Sequence, residues 1–196
     1  MQALEHEFPT AQHRGCHFHF SQAVWRHVQS LGLVQAYRRD RDVRSFIRKT
    51  VSLAFLPVND VVPAWTRLQE RAPDVPGIHA FVEYFQATWA GGNVTSWNQF
   101  GNRGPRTNNY QEAWHARIKI ANRADPNVFS CLKVIRKEEI VQQHALRQAR
   151  NGGQRCKRTK KWEAKDAAIV NLERHLEEGT ISVRRFLRRV HRYCGI

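Results

Sequence analysis

The 196-residue chain has no long apolar run. Its longest apolar stretch, Val51 to Val62, is interrupted by Ser, Pro, Asn and Asp and falls well short of the roughly 20 residues a membrane-spanning helix needs, so no membrane partner is expected. Cysteine is scarce: Cys16, Cys131, Cys156 and Cys194 lie far apart, without the density or paired spacing of a disulfide scaffold, and reduced thiols are expected. Residues 1–9 carry Glu5 and Glu7 where a secretory leader would carry basic residues followed by an apolar run, which argues against secretion. No repeat recurs at a solenoid period. Phosphate loops, nucleophile elbows and the paired-histidine zinc helix are also missing, which removes the commonest enzyme signatures.

Acidic residues are few, 17 against 32 Lys and Arg, for a net charge of +15. The excess is uneven. Residues 1–98 hold ten basic and eight acidic residues, whereas 99–196 hold 22 and nine. Within the second half it concentrates at Arg147 to Lys161, where Arg155, Lys157, Arg158, Lys160 and Lys161 fall close together. It concentrates again at Arg184, Arg185, Arg188, Arg189 and Arg192. Such clusters point to a polyanion, because neutralising phosphates releases counterions and gives affinity without reading sequence. The competing explanation is a helical surface that is merely basic and soluble. With 41% hydrophobic residues, six Trp and ten Phe, the chain has the material for one packed core.

Helical periods dominate. The apolar spacing predicts helices from about Phe20 to Leu31, Asp42 to Phe55, Pro76 to Ala90, Tyr110 to Ala121, Trp162 to Leu176 and Ser182 to Tyr193. Pro126 to Ala149 reads as one helix or a broken pair. The segment Asn93 to Pro105, rich in Asn, Gly and Ser, reads as a loop. Gln12 to Phe20 is the one good strand candidate, since Cys16, Phe18 and Phe20 alternate with His17 and His19. In the last helix, Val183, Phe186, Leu187 and Val190 share a face and the arginines take the other.

Two groups of residues are candidates for chemistry. Cys16 and His19 are good zinc donors, but a structural site usually takes four ligands and no second pair at matching spacing follows. In an extended segment the two would face opposite sides; a chain already helical by Phe18 would let them approach. A buried cysteine beside hydrogen-bonded histidines is the simpler reading. Glu112 lies two residues before Trp114, on the side of its helix opposite the apolar stripe. It is either a solvated glutamate or one ligand of a divalent cation, and the second needs further carboxylates.

Three strings nevertheless combine into a pattern: Gly15-Cys16-His17-Phe18-His19-Phe20-Ser21-Gln22-Ala23, Trp97-Asn98, and Arg106-Thr107-Asn108-Asn109-Tyr110-Gln111-Glu112-Ala113-Trp114-His115. Phe8-Pro9 precedes them, and Gly179-Thr180-Ile181-Ser182 with Phe186-Leu187 follows. Together they resemble the transposase domain of Mutator-like elements, and the resemblance covers most of the chain.

That resemblance implies a DDE transposase with an RNase H-like core, in which two aspartates and a glutamate hold Mg²⁺ or Mn²⁺ to cut and join DNA. Glu112 would be the third carboxylate, and Cys16 and His19 would match the family's Cys-or-Asp, two residues, His pattern, with Zn²⁺ as a further candidate ion. The implied fold is mainly α: a partial RNase H-like fold with one or two short strands (1–21), a helical insertion (22–105), a helix with the third carboxylate (106–124) and a basic helical C-terminal region (125–196). In the family both aspartates precede the Phe-Pro string. The expectation is therefore the C-terminal portion of a transposase, DNA-binding and catalytically incomplete alone, with a longer transposase chain or a second copy as partner. The run Arg155 to Lys161 resembles a nuclear import signal, which fits a nuclear protein. The alternative is a co-opted nucleic-acid-binding or protein-interaction module without enzymatic activity.

Overall fold

The computed structural model describes residues 6–7, 9–10, 14–107, 109–121, 127–153 and 160–194, with the backbone alone for Tyr110, Ile120 and Ala121. The described residues are mainly helical and include no strand. The helices are α1 (His17–Ser30), α2 (Val34–Arg39), α3 (Arg41–Ser52), α4 (Val58–Gln69), α5 (Ile78–Phe85), α6 (Asn109–Ala121), α7 (Val128–Arg150), α8 (Lys160–Glu177) and α9 (Val183–Val190). They divide into two compact units, Met1–Thr107 with Ala164–Ile196, and Asn108–Glu163. No helix among the described residues is long and apolar enough to cross a membrane.

The expected strand at Gln12 to Phe20 is corrected where it can be seen. Cys16 is extended, and the helix starts at His17. Phe18 is 48% exposed whereas Phe20 is buried, so the alternation of Cys16, Phe18 and Phe20 does not describe one face. The buried row is Phe20, Val24 and Val28 with Ser21 beside it, the i, i+1, i+4, i+8 set of one helix face; a strand would turn Phe20 and Ser21 to opposite sides. The strand expected of an RNase H-like core is thus not found at 14–20.

In the first unit α1, α3, α4, α5 and α9 bury one face each around a common core, and the part of α8 from Ala164 onward adds Ile169 and Leu172. Aromatic rings fill its centre. Phe20 stacks on Trp97 at 4.9 Å, and Phe85 lies 4.7 Å from Trp65 and 6.1 Å from Trp97. Helix α3 continues into a 3-10 turn at Leu53–Phe55 and α5 into a π-helical turn at Gln86–Ala90, which accounts for the predicted ends at Phe55 and Ala90. Helix α4 carries Pro63 inside it. The ring removes the donor that Asn59 O would accept from, but both residues are exposed, so water can serve that carbonyl.

The polar loop after α5 is held by buried amides. Asn98 Nδ2 donates to Leu56 O at 2.8 Å, Gln99 N donates to Ala54 O at 2.6 Å, and Gln99 Nε2 reaches Gly15 O at 2.8 Å. Gly15 N donates in turn to Ser96 O at 2.6 Å. A Cβ on Gly15 would sit 2.7 Å from that oxygen, so the approach requires glycine.

In the second unit α7 is one continuous helix, N-capped by Asn127, whose side chain accepts from Ser130 N at 2.8 Å. None of its residues is buried; Val128, Phe129, Leu132 and Ile135 are each about half to three-quarters exposed. An ion pair joins α6 to α7 through Arg117 and Glu138 at 3.2 Å.

Candidate nucleic-acid interface

Helix α9 begins at Ser182, whose hydroxyl accepts from Arg185 N at 3.3 Å. Phe186, Leu187 and Val190 are buried, while Arg184, Arg185, Arg188 and Arg189 are all exposed. The helix therefore commits its apolar face to the core and presents its cations outward, as its period predicts. Phe186, Leu187 and Val190 are therefore taken up within the unit and not open to a partner.

Helix α3 runs beside α9 and carries Arg41, Arg44, Arg48 and Lys49. Asp40 caps it, accepting from Asp42 N at 2.6 Å and Val43 N at 3.3 Å. Arg48 ties the two ends of the unit together, its Nε donating to Cys194 O at 3.2 Å and an Nη to Arg192 O at 3.1 Å. Arg44 donates to Arg38 O at 2.9 Å and Tyr37 O at 3.3 Å. Beside the two helices lie adjoining hollows: one of about 440 Å³ between α3 and the end of α9, and one of about 740 Å³ that α4 and the segment after it, through Arg67 and Arg71, also wall. The pKa of Lys49 is pushed down by burial first and then by Arg184, Arg188 and Arg71, with Asp42 acting in the opposite direction. His191, which faces the same cations, is likewise lowered, by burial first and then by Arg48, Lys49 and Arg192, against the raising effect of its bond to Leu187 O.

The sequence-predicted site residues fall in several places. Arg155, Lys157 and Arg158 lie outside the described residues. Lys160 and Lys161 open α8, exposed. Cys16, half-buried, is the extended residue that precedes α1, and His19, exposed, lies in the first turn of that helix. Glu112 sits exposed in the first turn of α6, in the second unit. Among the described residues no three His, Cys, Asp or Glu side chains converge as metal donors. The α3 cations escape a count by halves because the N-terminal half sums to near neutrality. A shorter window shows them, since residues 38–49 hold six basic and two acidic residues.

A half-buried polar group explains part of the motif strings. Arg106 pairs with Asp166 at 2.5 Å, lies over the Phe55 ring at 5.5 Å, and its carbonyl accepts from His17 N at 2.9 Å. The His17 ring packs 4.8 Å from Phe55 and meets Ser21 Oγ at 3.3 Å. Burial, then Lys165 and Arg106, lower its pKa to about 3. The buried Cys194 thiol is pushed up to about 11, mainly by burial, and stays protonated. Because unfolded His17 titrates near its ordinary value, the unfolded chain binds more protons between pH 6.5 and 3. Stability is then fully present above about 6.5 and is lost as the pH falls, by up to about 1.4 kcal/mol per unit. Urea unfolding at pH 7 and pH 5 is expected to show a drop of about 2 kcal/mol from this group, reduced in His17→Gln. An identical drop in the variant would remove His17 from the account.

Comparison of the chain with protein-family models, curated proteins and solved structures gives no match.

Proposed function

We propose that the chain is the part of a Mutator-like, DDE-type transposase that runs from the Cys/His string through the third carboxylate to the C-terminal helices. On this reading it binds DNA through its basic surface and does not cut it alone. The observation that carries the DNA-binding half is α9, whose four exposed arginines stand opposite the buried Phe186, Leu187 and Val190. The family half rests on the motif strings. It is supported by the hydrogen bonds that tie Gly15 to Ser96 and Gln99, the residues flanking Trp97-Asn98, and His17 to Arg106, and by the stacking of Phe20 on Trp97.

The described residues do not by themselves fit a divalent ion, because Glu112 supplies a single carboxylate and two-metal chemistry wants several. Mg²⁺ or Mn²⁺ belongs to this proposal only in an assembly where a longer transposase chain or a second copy adds the aspartates. Zn²⁺ at Cys16 and His19 would need two further ligands. The RNase H-like core rests on the resemblance alone, and a nuclear location follows from the proposed substrate.

Duplex affinity measured by fluorescence anisotropy should fall linearly with the logarithm of salt concentration. Replacing Arg184, Arg185, Arg188 and Arg189 by Gln should flatten that slope, by at most about 0.9 for each phosphate that is no longer neutralised. An unchanged slope removes α9 from the interface. In an assembly that cleaves DNA, Glu112→Gln should abolish metal-dependent cleavage and leave binding intact. A second reading, a protein-interaction module without enzymatic activity, is favoured by the exposed apolar residues of α7, and salt-insensitive binding to a protein partner would support it.

A further inference from the structure

The charge count by halves assigns the polyanion surface to the C-terminal region, but the fold brings a second set of cations to the same place. We propose that the groove between α3 and α9 is a track for the phosphodiester backbone of nucleic acid, with the cations of α3 forming its second wall. This rests on the DNA-binding reading above and narrows it to one surface.

On α3, Arg41, Arg44 and Arg48 fall at i, i+3 and i+7, a single stripe, with Lys49 beside it. On α9, Arg184 and Arg188 are one turn apart and both line the groove, and Arg192 continues the row past the helix end. Arg185 and Arg189, which belong to the neighbouring row, do not line it. The groove floor is apolar, with Phe46 and Leu187 nearly sealed from solvent, so charges above it are screened less than on an open surface.

Charge density selects the occupant. The α3 stripe extends about 10 Å at 1.5 Å per residue. Each strand of duplex DNA carries about one charge per 3.4 Å of axis, or about three over that length, one at every repeat. An acidic helix of the same length turns only two or three side chains to one side and reaches that number only if every one of them is acidic. Two walls with several cations each match a backbone that is charged at every repeat. Three carboxylates, Asp40, Asp42 and Asp74, also line the hollows, but among the described residues none of these cations lies within 4 Å of a carboxylate, Asp40 is taken up in capping α3, and the lining keeps an excess of cations. The cations are held together against their mutual repulsion, and Arg44 and Arg48 are fixed by the carbonyls they bond, so the wall is formed before any anion arrives.

The experiment uses a 20-base-pair duplex of mixed sequence, anisotropy over a salt series, and three double variants of equal charge loss. Arg41→Gln with Lys49→Gln removes the α3 wall, Arg184→Gln with Arg188→Gln the α9 wall, and Arg185→Gln with Arg189→Gln charges outside the groove. Each wall variant is expected to reduce the salt slope by about 2 and the affinity at 0.1 M salt at least tenfold. The outside variant should change the slope by less than 1. Equal losses in all three would overturn the groove in favour of diffuse attraction, with DNA binding intact. An α3 variant indistinguishable from the parent would overturn the second wall alone, and a parent chain that does not bind duplex would remove the underlying reading as well. Tighter binding of poly-glutamate than of duplex at equal charge would give the groove to an acidic protein instead. A measurement on the unaltered chain guards against variants that fail to fold: acetylation of Lys49, read by mass spectrometry, should slow several-fold when duplex is bound, and an unchanged rate would overturn the proposal.

Discussion

Arg103→Leu is expected to destabilise the first unit by about 3 kcal/mol at neutral pH, the low end of the range for breaking a buried ion pair, because Arg103 is itself 48% exposed while its partner is buried. Its partner Glu173, on α8, is completely buried, and Oε1 makes no hydrogen bond while the Arg103 guanidinium holds Oε2. Burial raises the pKa of Glu173, and Arg103 pulls it back only in part. With the arginine gone the carboxylate must either remain charged in an apolar setting or take up a proton. The folded state then binds more protons than the unfolded chain above the ordinary glutamate pKa, so the variant's deficit grows as pH rises and shrinks towards pH 5. Urea unfolding at pH 7.5 and pH 5 reads this directly, and adding Glu173→Gln should recover part of the loss. A deficit below about 1 kcal/mol, independent of pH, would mean that Arg103 acts as an ordinary surface pair.

Phe85→Ala should cost a comparable amount, about 3 to 5 kcal/mol. The ring is fully buried and touches four others, Phe20, Trp65, Phe81 and Trp97, at centroid distances from 4.7 to 6.4 Å. The loss therefore combines a cavity with several edge and tilted contacts worth about 0.5 to 1.5 kcal/mol each. Since domains of this size are stable by about 5 to 15 kcal/mol in total, the variant should melt far earlier. Its urea midpoint should shift with little change in slope. Phe85→Leu, which keeps most of the volume, should lose less than half as much, and equal losses in the two would indicate that the site collapses onto the smaller side chain.

Much of the helical architecture is legible in the sequence because its segments are amphipathic with clear stops. Ile78, Phe81 and Phe85 announce α5, and Phe186, Leu187 and Val190 announce α9. Helix α4 is hidden by Pro63 in its middle, and only the exposure of Pro63 and Asn59 makes the broken hydrogen bond tolerable. Helix α2, six residues long, is too short to show a period. At His17 to Phe20 two periods compete, and alternation over five residues misleads because the deciding partners, Val24 and Val28, lie further along. The arginines of α9 are visible as a cluster. The groove is not, since it depends on pairing Arg41 to Lys49 with residues beyond 183, a contact no local pattern encodes. Trp97-Asn98 carries the resemblance, yet here both are buried and Asn98 positions backbone.

The first unit is built from two separate stretches of chain, with residues 108–163 between them. A ribosome adding about 5 to 20 residues per second would need several seconds after Thr107 before Val190 was made. During that interval the surfaces destined for Ile169, Leu172, Phe186, Leu187 and Val190 stand bare on the nascent chain. Overproduction should therefore depend on chaperones that hold early helices apart, and slower synthesis should lengthen the exposure rather than help.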